Sequence, residues 1–155
     1  MKVAVTGSTG FIGRHVLAEL AKRTGVEVIA VVRRLPADLP EFSQEEVVQL
    51  DLHDASSDAF DLMRKPDVLV HLAWGGLPNY KSLHHFEQEL PMQYRFLQAL
   101  ILSGLRSVVV TGTCFEYGMQ SGPLSEDMDT RPSNPYGFAK DVLRRQLEYL
   151  RAVHP

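Results

Sequence analysis

The chain has 155 residues, 45% of them hydrophobic and 23% charged, which is ordinary globular composition and enough apolar side chain for one core. A net charge of −3 gives no basic face that would call for nucleic acid, and the single cysteine, Cys114, excludes an internal disulfide framework and a Cys-x-x-Cys metal site. No run approaches the roughly 20 apolar residues of a membrane span, and the opening MKVAVTGSTG is broken by glycine too soon for a signal peptide, so a cytoplasmic protein with no membrane partner is expected.

Taken in chain order, Lys2–Thr6 (KVAVT) is a β-branched run ending at glycine, the pattern of a buried strand. Ile12, Val16 and Leu20 recur every fourth residue and predict a helix with those three on its inner face, closed at Gly25. Residues 26–32 (VEVIAVV) read as a second strand. Residues 33–46 are polar, carry Pro36 and Pro40, and read as a loop. A short third strand over 47–50 and a short helix over 55–63 follow, then a fourth strand over 68–73 entered from Pro66-Asp67. Leu90, Tyr94, Leu97 and Ile101 mark a long amphipathic helix, entered or bent at Pro91 and ended by Gly104. Residues 107–111 (SVVVT) form a fifth strand, 118–135 a loop, and Ala139, Leu143, Leu147 and Leu150 a last helix.

Strands separated by helices imply parallel pairing, because a parallel crossover needs a dozen or more residues. Continuous Val/Ile runs imply a sheet covered on both faces. The expected fold is α/β, a doubly wound parallel sheet in one domain over residues 1–155, with its ligand site outside the carboxyl ends of the strands.

Thr6 to Gly13 reads TGSTGFIG, with Gly7, Gly10 and Gly13 at every third position between a strand and a helix. Glycine there permits the tight turn, the approach of backbone to phosphate and close helix–strand packing, while the helix N-terminus offers N–H groups to a pyrophosphate. No Lys-Ser/Thr follows, so this is not a Walker loop. Gly7, Thr9, Gly10, Phe11 and Ile12 are therefore assigned to a dinucleotide. The second strand ends in Arg33-Arg34 with no carboxylate at hand, which favours NADP over NAD, since guanidiniums suit a 2′-phosphate. Asp51, at the end of the third strand, is placed either to hydrogen-bond an adenine or to cap a turn.

Tyr136 and Lys140 are four apart on a predicted helix and share a face. A phenol of ordinary pKa near 10 is a poor acid–base at neutral pH, and a nearby ammonium is expected to lower that value, giving a proton donor and acceptor for carbonyl/alcohol interconversion. Thr113, just past the fifth strand, is placed to hydrogen-bond the same substrate oxygen.

These segments together resemble the extended short-chain dehydrogenase/reductases, the NAD-dependent epimerase/dehydratase family. VTGSTGFIG at 5–13, LDLHD at 50–54, VLVHLAWGG at 68–76, VVVTGTCFEYG at 108–118 and RPSNPYGFAK at 131–140 occur in the family's order and cover most of the chain. The resemblance implies a Rossmann-type fold. It implies an adenine contact at Asp51 and Leu52, a segment beside the cofactor at Leu72 and Ala73, and a catalytic Thr113, Tyr136 and Lys140, with Lys140 also reaching the nicotinamide ribose. The implied partner is a nucleoside-diphosphate sugar, and a homodimer is an assembly the family often adopts.

Three departures matter. Glu89-Leu90-Pro91-Met92-Gln93 stands where the family carries an Asn that supports the active-site backbone. Cys114-Phe115 replaces the Asp-Glu pair of the 4,6-dehydratases, which argues against dehydration. Family members continue for roughly another hundred residues as a substrate lobe, so a chain ending at Pro155 is expected to lack all or part of that lobe. Reduction of a keto sugar is favoured; epimerisation of a sugar nucleotide and dinucleotide binding without catalysis are the alternatives.

The remaining candidates are given structural expectations. His84 and His85 are adjacent and diverge, no His recurs with metal-ligand spacing, and no metal is expected. His71 is expected to be a satisfied core residue, Cys114 a small packed side chain, and Glu116 to face solvent. Trp74-Gly75-Gly76 reads either as a loop that approaches the nicotinamide or as a tight turn.

Overall fold

A computed structural model describes residues 1–35, 46–54 and 58–154. Most of the predicted loop over 33–46 and the first three positions of the predicted helix over 55–63 lie outside those residues. The chain forms two compact units, Met1–Ala73 with Ala99–Thr111, and Trp74–Gln98 with Gly112–Pro155.

The first unit holds the sheet: β1 (Lys2–Thr6), β2 (Glu27–Val32), β3 (Val47–Gln49), β4 (Val68–His71) and β5 (Ser107–Val110), in the order β3-β2-β1-β4-β5. Every pairing is parallel, with Val5 opposite Ala30 on one side and Val70 on the other. The order reverses beside β1, so its carboxyl end is the switch point where such sheets bind ligands. β1 and β2 are buried almost throughout, as their unbroken Val/Ile/Ala runs require. β5 departs from the expected two-sided cover: it is an edge strand on which burial alternates, leaving Val109 54% exposed.

α1 (Phe11–Leu20) packs on this sheet with Val16 and Leu20 of the expected face against the core, and Ile12 departs from it. Gly13 and Leu17 are its buried residues, Val16 and Leu20 flank them, and Ile12 is 55% exposed at the helix entry. The missing Cβ of Gly13 lets the helix lie close to the loop, and Gly13 and Leu17 centre the buried face. α2 is short (Ala59–Leu62) and closes into Arg64 and Lys65, both with positive φ.

In the second unit a π-helical segment, His85–Glu89, runs directly into α3 (Leu90–Leu102). Pro91 sits at the second position of α3, just past the junction with the π-helical segment. A 3₁₀ turn, Cys114–Tyr117, follows β5 by three residues, and the last helix is α4 (Pro135–Val153). Asn134 caps α4, its Oδ1 accepting the Gly137 N–H at 2.8 Å, and Pro135 occupies the first helical position. The π-helical segment and the 3₁₀ turn both pack against α4. No helix among the described residues is long and apolar enough to cross a membrane.

Candidate active site

In the first unit the glycine loop divides its labour. Gly7 has φ +68°, and a Cβ there would meet the backbone of Ala73 and Leu72 at 2.8 Å. Gly13 would collide with the Gly7 carbonyl and Ser8. Both glycines are thus demanded by packing. Gly10 is different: its Cβ position meets only the Gly7 carbonyl, at 3.1 Å, and its φ of −74° is ordinary. Gly10 is also the N-cap of α1 and brings no side chain to bond the first-turn N–H groups, which is how a helix start accepts an anion. Ser8 Oγ donates to the Val31 carbonyl at 2.9 Å and ties the loop to β2.

The other proposed cofactor residues of this unit lie at the carboxyl ends of the strands. Thr9 is exposed, and Phe11 is exposed against His15, ring centroids 5.3 Å apart. Arg33 and Arg34 are exposed just beyond β2, and Leu72 and Ala73 are half-buried beyond β4. Asp51 and Leu52 are half-buried. Asp51 lies two residues past β3 rather than at its end, and its Oδ1 accepts the His53 N–H at 3.1 Å, a local turn cap. His71 is a satisfied core residue, buried with Nδ1 2.8 Å from Thr6 Oγ1.

In the second unit Thr113, Tyr136 and Lys140 come together. Thr113 caps the 3₁₀ turn, while Tyr136 and Lys140 are buried on α4. The Thr113 hydroxyl is hydrogen-bonded to the Tyr136 phenol. The expectation that the lysine would lower the tyrosine pKa is overturned for this structure. Burial raises Tyr136 above its ordinary value; the Thr113 hydroxyl works the other way, and electrostatic repulsion by neighbouring acidic groups, Glu116 among them, adds to the rise. The Lys140 ammonium lies instead over the ring of Trp74, 4.2 Å from its centroid. Burial lowers Lys140 to about 8, against the pull of Glu116 and Glu89.

Several neighbours were misjudged or missed from sequence. Glu116 is buried rather than facing solvent, because its Oε1 accepts the Thr113 N–H at 2.7 Å. Cys114 is exposed rather than packed, since the 3₁₀ turn aims it outward. Glu89, in the segment that replaces the family's Asn, is buried and accepts the Gly75 N–H at 3.0 Å, the Gln93 side-chain amide at 3.1 Å and a contact from His84 at 3.3 Å. A Cβ on Gly75 would strike the Glu89 carboxylate, and one on Gly76 would come within 2.9 Å of the His84 ring, so the Trp74-Gly75-Gly76 glycines serve close packing on these side chains. Tyr80 accepts the Tyr136 N–H on its carbonyl at 3.2 Å and stacks obliquely on the Tyr136 ring. Nothing in residue spacing marks Tyr80 as a partner. The described residues hold no group of three or more His, Cys, Asp or Glu fit to bind a metal.

A glycine-rich strand–helix loop and a Thr/Tyr/Lys set are what the resemblance led one to expect. The model of the NAD dependent epimerase/dehydratase family matches residues 3–154. The chain belongs to this family. Among curated members it is 31% identical to a dTDP-6-deoxy-L-talose 4-dehydrogenase (NAD(+)) of Aggregatibacter actinomycetemcomitans, over 100% of this chain and 57% of that protein. It is 30% identical to a UDP-glucose 4-epimerase of Azospirillum brasilense, over 99% of this chain and 45% of that protein. The solved structure of MoeE5 in complex with UDP-glucuronic acid and NAD is matched with TM-score 0.79 at 31% identity, over 98% of this chain and 50% of that one. The chain thus spans about half the length of these relatives, and the Rossmann-type fold is common to the family.

Proposed function

We propose that this chain is the dinucleotide-binding and proton-exchanging part of an oxidoreductase that reduces the keto group of a nucleoside-diphosphate sugar. The observation that carries the reading is the pair of buried residues Tyr136 and Lys140, one turn apart on α4, with Thr113 capping the 3₁₀ turn that packs against that helix. A bound nicotinamide supplies or accepts the hydride. Tyr136 exchanges the proton of the sugar oxygen, and its raised pKa suits it to donate that proton during reduction. Thr113 orients the phenol and polarises the same oxygen. Lys140, one turn further along α4, would hold the nicotinamide ribose.

Gly7, Thr9, Gly10, Phe11 and Ile12 fit a pyrophosphate, because Gly10 leaves room over an uncapped helix start. Asp51, Leu52, Leu72 and Ala73 remain the proposed adenine and cofactor contacts. For the nucleotide itself, the relatives named with NAD support NAD. Arg33 and Arg34 support NADP, a second reading with its own observation: two exposed guanidiniums at the end of β2.

The relatives include epimerases, so sugar-nucleotide epimerisation is the competing reaction. The two separate in one experiment. The full-length protein is incubated in parallel with reduced cofactor and UDP- or dTDP-keto sugars, and with oxidised cofactor and UDP- or dTDP-hexoses, and net cofactor turnover is compared with sugar product. Stoichiometric oxidation supports reduction. Epimer formation without net oxidation overturns it in favour of epimerisation. Dinucleotide binding with neither reaction overturns both.

A further inference from the structure

The ammonium of Lys140 is held by an aromatic face that the Tyr-x-x-x-Lys pattern does not foretell. Its Nζ lies 4.2 Å from the Trp74 ring centroid, and the Trp74 ring meets that of Tyr136 edge-on at 5.9 Å. The indole is itself fixed. Its Nε1–H donates to Nδ1 of His85 at 3.1 Å, and Nε2 of His85 lies 2.9 Å from the Asn79 carbonyl oxygen. The first bond needs a lone pair on Nδ1, so the proton sits on Nε2 and is donated to Asn79. One tautomer satisfies both partners, and His85 is wholly buried in the π-helical segment, a kind of helical irregularity often found at functional sites.

We propose that Trp74 is a positioning residue for Lys140, its ring face holding the ammonium beside Tyr136 while His85 locks the plane of the ring. This rests on the reading that Lys140 and Tyr136 serve one proton-exchange reaction. A π face favours ammonium over amine, and so opposes part of the burial that lowers Lys140. The carboxylates of Glu116 from the 3₁₀ turn and Glu89 from the π-helical segment act in the same sense. His84 pairs with Glu89, His85 is engaged as described, and Tyr136 and Asp141 share α4 with Lys140.

Trp74 is the only tryptophan, so its indole N–H gives a single NMR cross-peak. That peak should shift with pH at a midpoint shared with Lys140, and the shift should survive in Tyr136→Phe and vanish in Lys140→Met. Trp74→Phe and Trp74→Leu then separate ring face from apolar bulk. The Lys140 midpoint, read from its own side-chain resonances, should be lower in the leucine variant than in the phenylalanine variant by about half a unit to one unit. The alkaline limb of the turnover profile should follow it. His85→Leu should speed solvent exchange of the indole N–H about tenfold. Equal midpoints in the two Trp74 variants, or an indole peak indifferent to Lys140, overturn the proposal even if the enzyme is active. Intact Trp74–Lys140 coupling in a protein whose turnover does not depend on Tyr136 overturns the functional reading instead.

Discussion

Glu116 Oε1 accepts the backbone N–H of Thr113 at 2.7 Å, and Thr113 Oγ1 accepts the N–H of Phe115 at 3.3 Å. This reciprocal cap holds Thr113 extended, at φ −149° and ψ 147°, at the start of the 3₁₀ turn. The second oxygen of Glu116 lies 3.6 Å from Arg144 Nε on α4, so the hydroxyl that meets Tyr136 is anchored to the helix that carries Tyr136. The capping box fixes Thr113 on Glu116, and the Glu116–Arg144 ion pair ties that turn to a helix distant in sequence.

Glu116→Ala removes the acceptor and leaves the Thr113 N–H unsatisfied. The expected cost is about 1–2 kcal/mol of unfolding free energy, read by denaturant titration. Turnover should fall about tenfold, since one orienting contact is worth about that much. Glu116→Gln keeps an acceptor and should retain most of both. Equal losses in the two variants would show that charge, not the cap, is what matters.

The glycine loop gives a contrast between neighbours. Gly13→Ala places a methyl against the Gly7 carbonyl and Ser8, and should destabilise the chain by about 2 kcal/mol or more. Gly10→Val meets only one backbone atom, so the fold should survive while dinucleotide affinity falls at least about a hundredfold, as bulk occupies the phosphate approach. Thermal unfolding and cofactor titration separate the two. Normal cofactor affinity in Gly10→Val would remove the phosphate assignment.

Arg33→Ala and Arg34→Ala decide the cofactor. If the pair serves a 2′-phosphate, NADP affinity should drop about tenfold or more with little change for NAD. Parallel titrations with both nucleotides give the answer, and equal small effects would leave NAD as the working cofactor.

How far the residues spoke in advance follows from their physics. The buried strands were legible because two-sided burial leaves no choice but Val, Ile and Ala, as in Val28–Val32. Gly7 and Gly13 were legible because only glycine tolerates their geometry. The environment of Lys140 was not. Trp74, His85 and Glu89 are brought to it by tertiary packing and a π-helical turn, for which no local spacing rule exists. The Tyr136 pKa was misjudged for the same reason: spacing places an ammonium one turn away, but it gives no measure of burial. Glu116 looked like a surface residue because its capping partner is a backbone N–H, which carries no signature in the sequence.

Lys140 also makes stability depend on pH in a definite direction. Its pKa is lowered by burial from 10.5 to about 8. Between those values the unfolded chain binds more protons than the folded one, so this residue makes stability rise with pH across that window. Below about pH 8 both states are charged and the full cost of burial is present. Lys140→Met should therefore stabilise the chain near neutral pH by about 2–3 kcal/mol, with the gain shrinking toward pH 10.5. Denaturant unfolding at several pH values measures it. A destabilised variant would show that the contacts of Lys140 outweigh its burial.

The chemistry is tested most directly at Tyr136. Tyr136→Phe removes one hydroxyl from a ring packed among Trp74, Tyr80, His85 and Phe115, and each of those ring contacts can persist. The fold and cofactor affinity should therefore stay near normal. Turnover on an accepted sugar nucleotide should fall by about two to four orders of magnitude, the usual worth of a positioned acid–base group. Thr113→Val removes the hydrogen bond to the phenol and the acceptor for the Phe115 N–H. It should cost turnover about tenfold to a hundredfold with little effect on cofactor. The Thr113 bond is what partly offsets the burial-driven rise of Tyr136, so its loss should move the phenol pKa still higher. The limb of the pH profile on which the protonated phenol is lost then shifts to higher pH in Thr113→Val, whereas in Tyr136→Phe it disappears. Steady-state cofactor oxidation across pH on both variants makes the measurement. Near-normal turnover in Tyr136→Phe would sink the mechanism while leaving the fold, the family and the glycine-loop assignment standing, and would move dinucleotide binding without catalysis to the front.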